Sequence, residues 1–401
     1  PPRSTLFPYT TLFRSDGTVD AAFAANVDST FVGDVFCLAI QTDGKILVGG
    51  SFFHTGGVSM FSLVRLNTDG TLDTAFSTNS SGSNKFNDTV YSVAVDSLDR
   101  VIACGAFTNY AGTTGRHRVI RLNADGTTDT AFCANAVDSN KFNNTVYSVS
   151  VQSDNKIIIG GMFINYAGAT TRDRVVRLNV DGTTDTDFCN NAVDLSKFNT
   201  PVYATAITST GAILVGGEFT YAATAGRDKL VCLNSDGTLN TTFTANSTDG
   251  GKFFNTVFSL DVFSSDKVLV GGSFLSYNTI PNLDYAILLN STGTLDSTYS
   301  NSAFLNRFPA STTIYSSLAL SDGSSAVGGN FASYTGHTLA SFFVKTTSTG
   351  TPDTSYLDNF NLRRKFNGTI NAVVTQTDGK ILVGGGDRKS TRLNSSHRIR
   401  S

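Results

Sequence analysis

Residues 156–163 read Lys-Ile-Ile-Ile-Gly-Gly-Met-Phe. Three consecutive isoleucines are β-branched and favour an extended chain. The run is too short for a helix and does not alternate with polar residues, so it predicts a strand covered on both faces. The glycine pair after it predicts a place where another backbone comes close. The same Gly-Gly-x-Phe ending, exact or degenerate, recurs at Phe52, Phe107, Phe163, Phe219, Phe274 and Phe331, in steps of 55, 56, 56, 55 and 57 residues. Two further elements keep this register. Asp-Gly-Thr-x-Asp-x-x-Phe spans Asp69 to Phe76, Asp125 to Phe132 and Asp181 to Phe188, with looser copies ending at Phe23, Phe243, Tyr299 and Tyr356. Lys-Phe-Asn-x-Thr-Val-Tyr-Ser-Val spans Lys85 to Val93 and Lys141 to Val149, with variants starting at Lys197, Lys252, Arg307 and Lys365. Three linked elements repeating together mark tandem units of one architecture.

Each unit reads as four short strands: Val146 to Val151, Lys156 to Phe163, Arg174 to Asn179 and, after an Asp-Gly turn, Thr183 to Phe188. No stretch carries the 3.6-residue apolar period of a helix. Sheets buried on both faces and stacked around an axis are the propeller solution. A linear solenoid has coils of roughly 20 to 30 residues, against a period near 56 here. The fold expected is therefore all-β: a β-propeller of about seven four-stranded blades. The fourth strand appears before any first strand, and the last first and second strands lack followers. The two ends should then share one blade and close the circle.

Register begins at Asp16 and is lost after Gly386. Residues 1–15 and 387–401 resemble translated sequencing-adapter read-through, especially Ser4 to Ser15 and Lys389 to His397. The expected division is a non-native tail over 1–15, one propeller domain over 16–386, and a second non-native tail over 387–401. Arg392-Leu393-Asn394 imitates the Arg-Leu-Asn of the third strand and is a candidate to dock as the missing one. An export signal and further domains would then lie outside this sequence.

The formal net charge is −2. Residues 16–387 carry 23 basic against 32 acidic side chains, a net of −9. Such a chain lacks the basic face a nucleic-acid partner requires. No apolar run reaches the roughly 20 residues of a membrane span. Cys37, Cys104, Cys133, Cys189 and Cys232 have no metal-ligand spacing and read as buried filler.

Arg-Leu-Asn-x-Asp-Gly-Thr-x-Asp-x-x-Phe (Arg65 to Phe76, Arg121 to Phe132), together with Asp-Gly-Lys-Ile-Leu-Val-Gly-Gly-x-Phe (Asp43 to Phe52), resembles the delta-60 repeat over residues 16–386. That resemblance implies a propeller in bacterial secreted or surface proteins and in phage-associated structural proteins. It implies no catalytic residues. Asp236 without a preceding Arg-Leu, and Ser324-Ser325 in place of Lys-Ile, depart from the pattern.

Enzyme motifs are absent, and His54, His117, His337 and His397 are isolated. No catalytic residue and no cofactor are assigned. Three turns place oxygen side chains around a glycine, as calcium loops do: Asn67, Asp69 and Asp73; Asn123, Asp125 and Asp129; Asn179, Asp181 and Asp185. Asn and Asp also stabilise turns by bonding their own backbone, which is the preferred reading. Two rings of repeated residues are candidates for a ligand face. One is Lys85, Lys141, Lys197, Lys252, Arg307 and Lys365, a cationic collar, each beside a phenylalanine that would plug the gap between sheets. The other is Tyr110, Tyr166, Tyr277 and Tyr334, exposed for sugar or protein contact or else part of the core. The function expected is a non-catalytic module binding protein or polysaccharide on a cell surface, secreted protein or virion. The alternative is a carbohydrate-active hydrolase with paired carboxylates at the channel. Oligomeric state is left open.

Overall fold

A computed structural model describes residues 10–27, 31–54, 60–81, 86–110, 113–114, 118–136, 142–168, 173–192, 198–220, 228–243, 253–277, 280–281, 283–335, 341–361 and 368–386. The chain is all-β in its sheets and propeller-like. Among the described residues lie seven three-stranded antiparallel sheets and two small two-stranded ones. A representative sheet runs Val146–Val151, Ile157–Gly161, Val175–Leu178, with Ile158 opposite Arg177 and Ser150. Its middle strand is buried throughout, as the isoleucine run requires. Each isoleucine so buried stabilises the fold by roughly 2–3 kcal/mol. No helix among the described residues is long and apolar enough to cross a membrane.

The blade expected to have four strands has three. Thr183 to Phe188 is not a strand: Thr184 makes a single bridge to Leu178, and a helix covers Thr186–Ala192. The cause is Asp185, whose Oδ1 accepts from Phe188 N at 3.1 Å and caps the helix. Asp73, Asp129 and Asp353 cap Phe76, Phe132 and Tyr356 in the same way. Asp-x-x-Phe is therefore an N-cap signature. These helices have only seven or eight residues, too few to show a helical period.

The first strand of each sheet packs against the first strand of the next, and Phe31–Ile40 also packs against Ile370–Thr375 of the last sheet. The glycine pairs permit this packing. A Cβ on Gly160 would lie 2.6 Å from Val202 Cγ1 of the following sheet, while one on Gly161 would meet Thr145 O of its own sheet at 2.5 Å. The close neighbour of the first glycine is thus a side chain of the next sheet rather than its backbone. Gly384 stands 2.6 Å, by the same measure, from Val35 Cγ1. Asn26, Asn79, Asn135 and Asn191 each donate to a carbonyl in the following Asp-Gly turn (Asp69, Asp125, Asp181 and Asp236), and Asn359 donates to Asp16 O at 2.8 Å.

The sheet Ile370–Thr375, Ile381–Gly385 takes its third strand from Thr10–Phe13. The boundary drawn at Asp16 therefore cuts a sheet, and residues 10–15 continue into the repeat. Phe13 stands before Asp16 as Leu66 stands before Asp69, and it pairs with Ile381 as Leu66 pairs with Ile46. Arg392 to Asn394 lie outside the described residues. Thr10 and Thr11 occupy positions where other third strands carry aliphatic residues such as Val175 and Val176, and their hydroxyls are buried without a hydrogen bond. Replacing both by valine keeps the shape and removes two unsatisfied oxygens. We expect Thr10→Val/Thr11→Val to raise unfolding free energy by about 2 kcal/mol in chemical denaturation.

Candidate functional site: an aromatic cavity at the first strands

Every first strand carries a register irregularity at one residue. The shifts fall between Val90 and Ser92, Val146 and Ser148, Val202 and Ala204, Val257 and Ser259, Ile314 and Ser316, Ile370 and Ala372, and Val35 and Cys37. A bulge turns the extra residue out of the ladder and re-aims its side chain. The bulged residues are Phe36, Tyr91, Tyr147, Tyr203, Phe258, Tyr315 and Asn371, one per sheet. All seven line one cavity of about 770 Å³. Successive rings stand 5.3, 5.4, 5.0, 5.0 and 5.6 Å apart, centroid to centroid, from Phe36 round to Tyr315. Burial, then the neighbouring Tyr91 hydroxyl, raises the Tyr147 phenol above its ordinary range. Burial, followed by Glu218 and Tyr147, does the same for Tyr203.

The seventh position breaks the aromatic series. Asn371 is flanked by Gly368, Thr369 and Gly386, and Asp34 and Asn330 complete this side. Asn371 donates its amide to Val35 O at 3.1 Å, leaving its oxygen free to accept. Asn330 accepts from Thr313 N at 2.6 Å, leaving its amide free to donate. The Asp34 carboxylate makes no hydrogen bond or ion pair among the described residues. The wall below the rings is held by bonds between neighbouring first strands. Ser148 Oγ accepts from Thr205 N at 3.0 Å and Ser316 Oγ accepts from Val373 N at 3.0 Å.

Asp261 fills the corresponding role in its sheet, accepting from Ala319 N at 2.7 Å. Burial pushes its pKa up to about 6, against the opposing bonds from Ala319 N and Val262 N. In the unfolded chain this carboxyl ionises near 4. The unfolded state therefore loses the proton first, so this group's contribution to stability falls as pH rises from about 4 to 6 and is flat above. Asp261→Asn removes that step. The variant's melting temperature, relative to the parent's, should be higher at pH 7.5 than at pH 4.

The cation turns are occupied by their own chain. Asp69, Asp125 and Asp181 each accept from the backbone and hydroxyl of Thr71, Thr127 and Thr183. The hydroxyl bonds, then the backbone bonds, hold these carboxyls below the usual range. Asn67, Asn123 and Asn179 donate to the same threonines. Asp73, Asp129 and Asp185 pair with Arg65, Arg121 and Arg177 at 2.8–2.9 Å. Among the described residues no three His, Cys, Asp or Glu side chains are grouped to hold a metal. Excess EDTA should leave the melting temperature unchanged in a thermal scan.

The tyrosine ring is part of the core, not a face. Tyr110, Tyr166, Tyr277 and Tyr334 are at most 1% exposed, and Phe86 packs edge-on against Phe107 and Tyr110. Tyr110 donates to Ser80 O. Lys85, Lys141, Lys197, Lys252 and Lys365 lie outside the described residues. Arg307 donates to Ser302 O in the preceding helix and to Thr335 O in a turn. Phe142, Phe198 and Phe253 are buried and pack edge-on against Phe163, Phe219 and Phe274 of their own units. All five cysteines are buried, and burial pushes the Cys37 and Cys104 thiols up. The bulge aromatics were missed because Val-Tyr-Ser-Val reads as a regular strand. Their once-per-unit recurrence was the available signal.

Residues 41–76, 99–132, 152–188 and 208–243 match a family described as a domain of unknown function (DUF5122) beta-propeller. No curated relative matches the sequence. Among solved structures, the WD40 β-propeller domain of Doa1 is similar at 13% identity, with 89% of this chain and 94% of that one covered and a TM-score of 0.48. The extracellular domain of a hybrid two component system from B. thetaiotaomicron is 10% identical over 88% of this chain and 40% of its own, with a TM-score of 0.47. PorZ, a surface component of the type-IX secretion system of Porphyromonas gingivalis, is 9% identical over 86% of this chain and 46% of its own, with a TM-score of 0.46. The chain thus spans less than half of the latter two. The four matched segments cover just over a third of the chain and coincide with its repeat register, so together with the stacked three-stranded sheets they support a β-propeller repeat architecture.

Proposed function

We propose that this chain is a closed seven-bladed propeller of the delta-60 kind, acting as a non-catalytic interaction module on a secreted, cell-surface or virion protein, and that it captures its partner at the aromatic cavity. The observation that carries the reading is the bulge: seven sheets each spend an irregularity to aim one residue into one cavity, and six of the seven residues are aromatic. Rigid aromatics give large contact area at little entropic cost. Sevenfold closure is supported by the rings themselves. Successive rings are inclined by 47° to 57°, and a seventh of a turn is about 51°. Hydrolysis of a glycoside uses two carboxylates flanking the bond. Asp34 is the single carboxylate lining this cavity among the described residues, which favours binding over turnover. The test is to challenge the full chain with an oligosaccharide panel and a displayed random-peptide library. Ligands recovered should bind at least tenfold more weakly to Tyr147→Ala/Tyr203→Ala and be returned unaltered by mass spectrometry. Ligands indifferent to both substitutions, or cleaved products, would overturn the reading.

A further inference from the structure

We infer that the ligand of this cavity is an uncharged saccharide, whose end enters the gap at Asn371; the inference rests on the cavity being the binding site. Its chemistry is set by the lining. Aromatic rings stack on the apolar C–H faces of sugar rings, and seven of them, the six bulged rings and Phe342, line the space. Hydroxyl groups donate and accept at once, so they need partners of both kinds. The gap provides both: Asn330 with a free amide donor, Asn371 with a free carbonyl acceptor, and the Asp34 carboxylate, which accepts two bonds. Glycine at 368 and 386 leaves room there, where an aromatic residue would fill it.

The lining also says what is excluded. None of the cavity residues is Lys or Arg, and Asp34 is negative, so a sulfated, phosphorylated or uronic-acid sugar meets repulsion without a counter-charge. The cavity of about 770 Å³ lies within the roughly 300–1,000 Å³ typical of small-molecule sites, so it holds a short oligosaccharide end rather than a folded domain.

The experiment is a titration of the full chain with neutral gluco-, xylo-, manno- and chito-oligosaccharides, with their sulfated counterparts and with an oligolysine peptide. The chain has no tryptophan, so tyrosine dominates its intrinsic emission, and four of its 13 tyrosines line the cavity. At least one neutral oligosaccharide should bind, its sulfated form at least tenfold more weakly. Asn371→Phe, which completes the aromatic series and closes the gap, should weaken binding at least tenfold with the melting temperature retained. Asn330→Asp, which replaces the donor by a second carboxylate at nearly constant shape, gives an independent variant and should also weaken it. The inference fails if no neutral oligosaccharide binds, if sulfated forms bind as well, or if both variants bind as the parent does. Peptide ligands recovered at the same tyrosines without any saccharide would sink this inference and leave the module standing. Ligands of either kind that ignore the tyrosines would sink both.

Discussion

Arg121→Ala should cost about 3–5 kcal/mol of unfolding free energy, far beyond an ordinary surface change. Arg121 is 3% exposed and holds three partners together. Its Nε and Nη2 donate to Asp129 Oδ2 at 2.9 and 2.8 Å. Its Nη1 donates to Val180 O in the next unit's turn at 2.6 Å. Its guanidinium lies 4.0 Å from the Phe132 ring centroid. Truncation leaves Asp129 largely enclosed with Arg100 at 3.9 Å, and Val180 O without its donor. Asp129→Asn keeps the helix cap and removes the orphaned charge, so the double variant should recover part of the loss. The chain contains a natural version of this pairing. Where Cys232 stands in the arginine's place, Asn240 stands in the aspartate's and still caps Phe243 N at 3.0 Å. Chemical denaturation of the single and double variants measures the effect; a cost below about 1 kcal/mol for Arg121→Ala would contradict this role.

Deleting residues 1–14 should cost still more. Leu12 and Phe13 are buried at 1% and 0% exposure, and truncations of single large core side chains already cost about 2–5 kcal/mol. The deletion also exposes the full edge of Ile381–Gly385, an apolar strand ready to pair with another chain. The expected result is a chain at least about 5 kcal/mol less stable that associates with rising concentration on size exclusion. Unchanged stability and a monomer at all concentrations would show that Thr10–Phe13 is not part of the sheet.

Much of this architecture was legible because it rests on burial from both sides. The unbroken run Ile157–Ile159 can only be a covered strand, and Gly160 with Gly161 marks where neighbours press closest. The helix at Thr186–Ala192 was misread because Asp185 serves two structures equally well on paper: a hairpin turn, or a cap three residues before Phe188. The strand Thr10–Phe13 was passed over because Leu12 replaces the arginine found in the most regular third strands (Arg65, Arg121 and Arg177), although Phe13 keeps the spacing to Asp16. The cavity was hidden for a different reason. A bulge changes which way Tyr91 or Tyr147 points without changing the residue pattern, so repetition shows the residue and conceals its direction.

The central claim is that the two extremities of the repeat array meet in one wheel. Lys380 Nζ lies 3.5 Å from Asp20 Oδ2, a pair brought together only if the last sheet meets the first segments of the same chain. Zero-length carbodiimide coupling followed by peptide mass spectrometry of the monomer fraction reads this directly. A Lys380–Asp20 amide in the monomer, lost in Asp20→Asn, is the predicted result. Its absence from the monomer, or its appearance only in covalent dimers, would contradict closure within one chain.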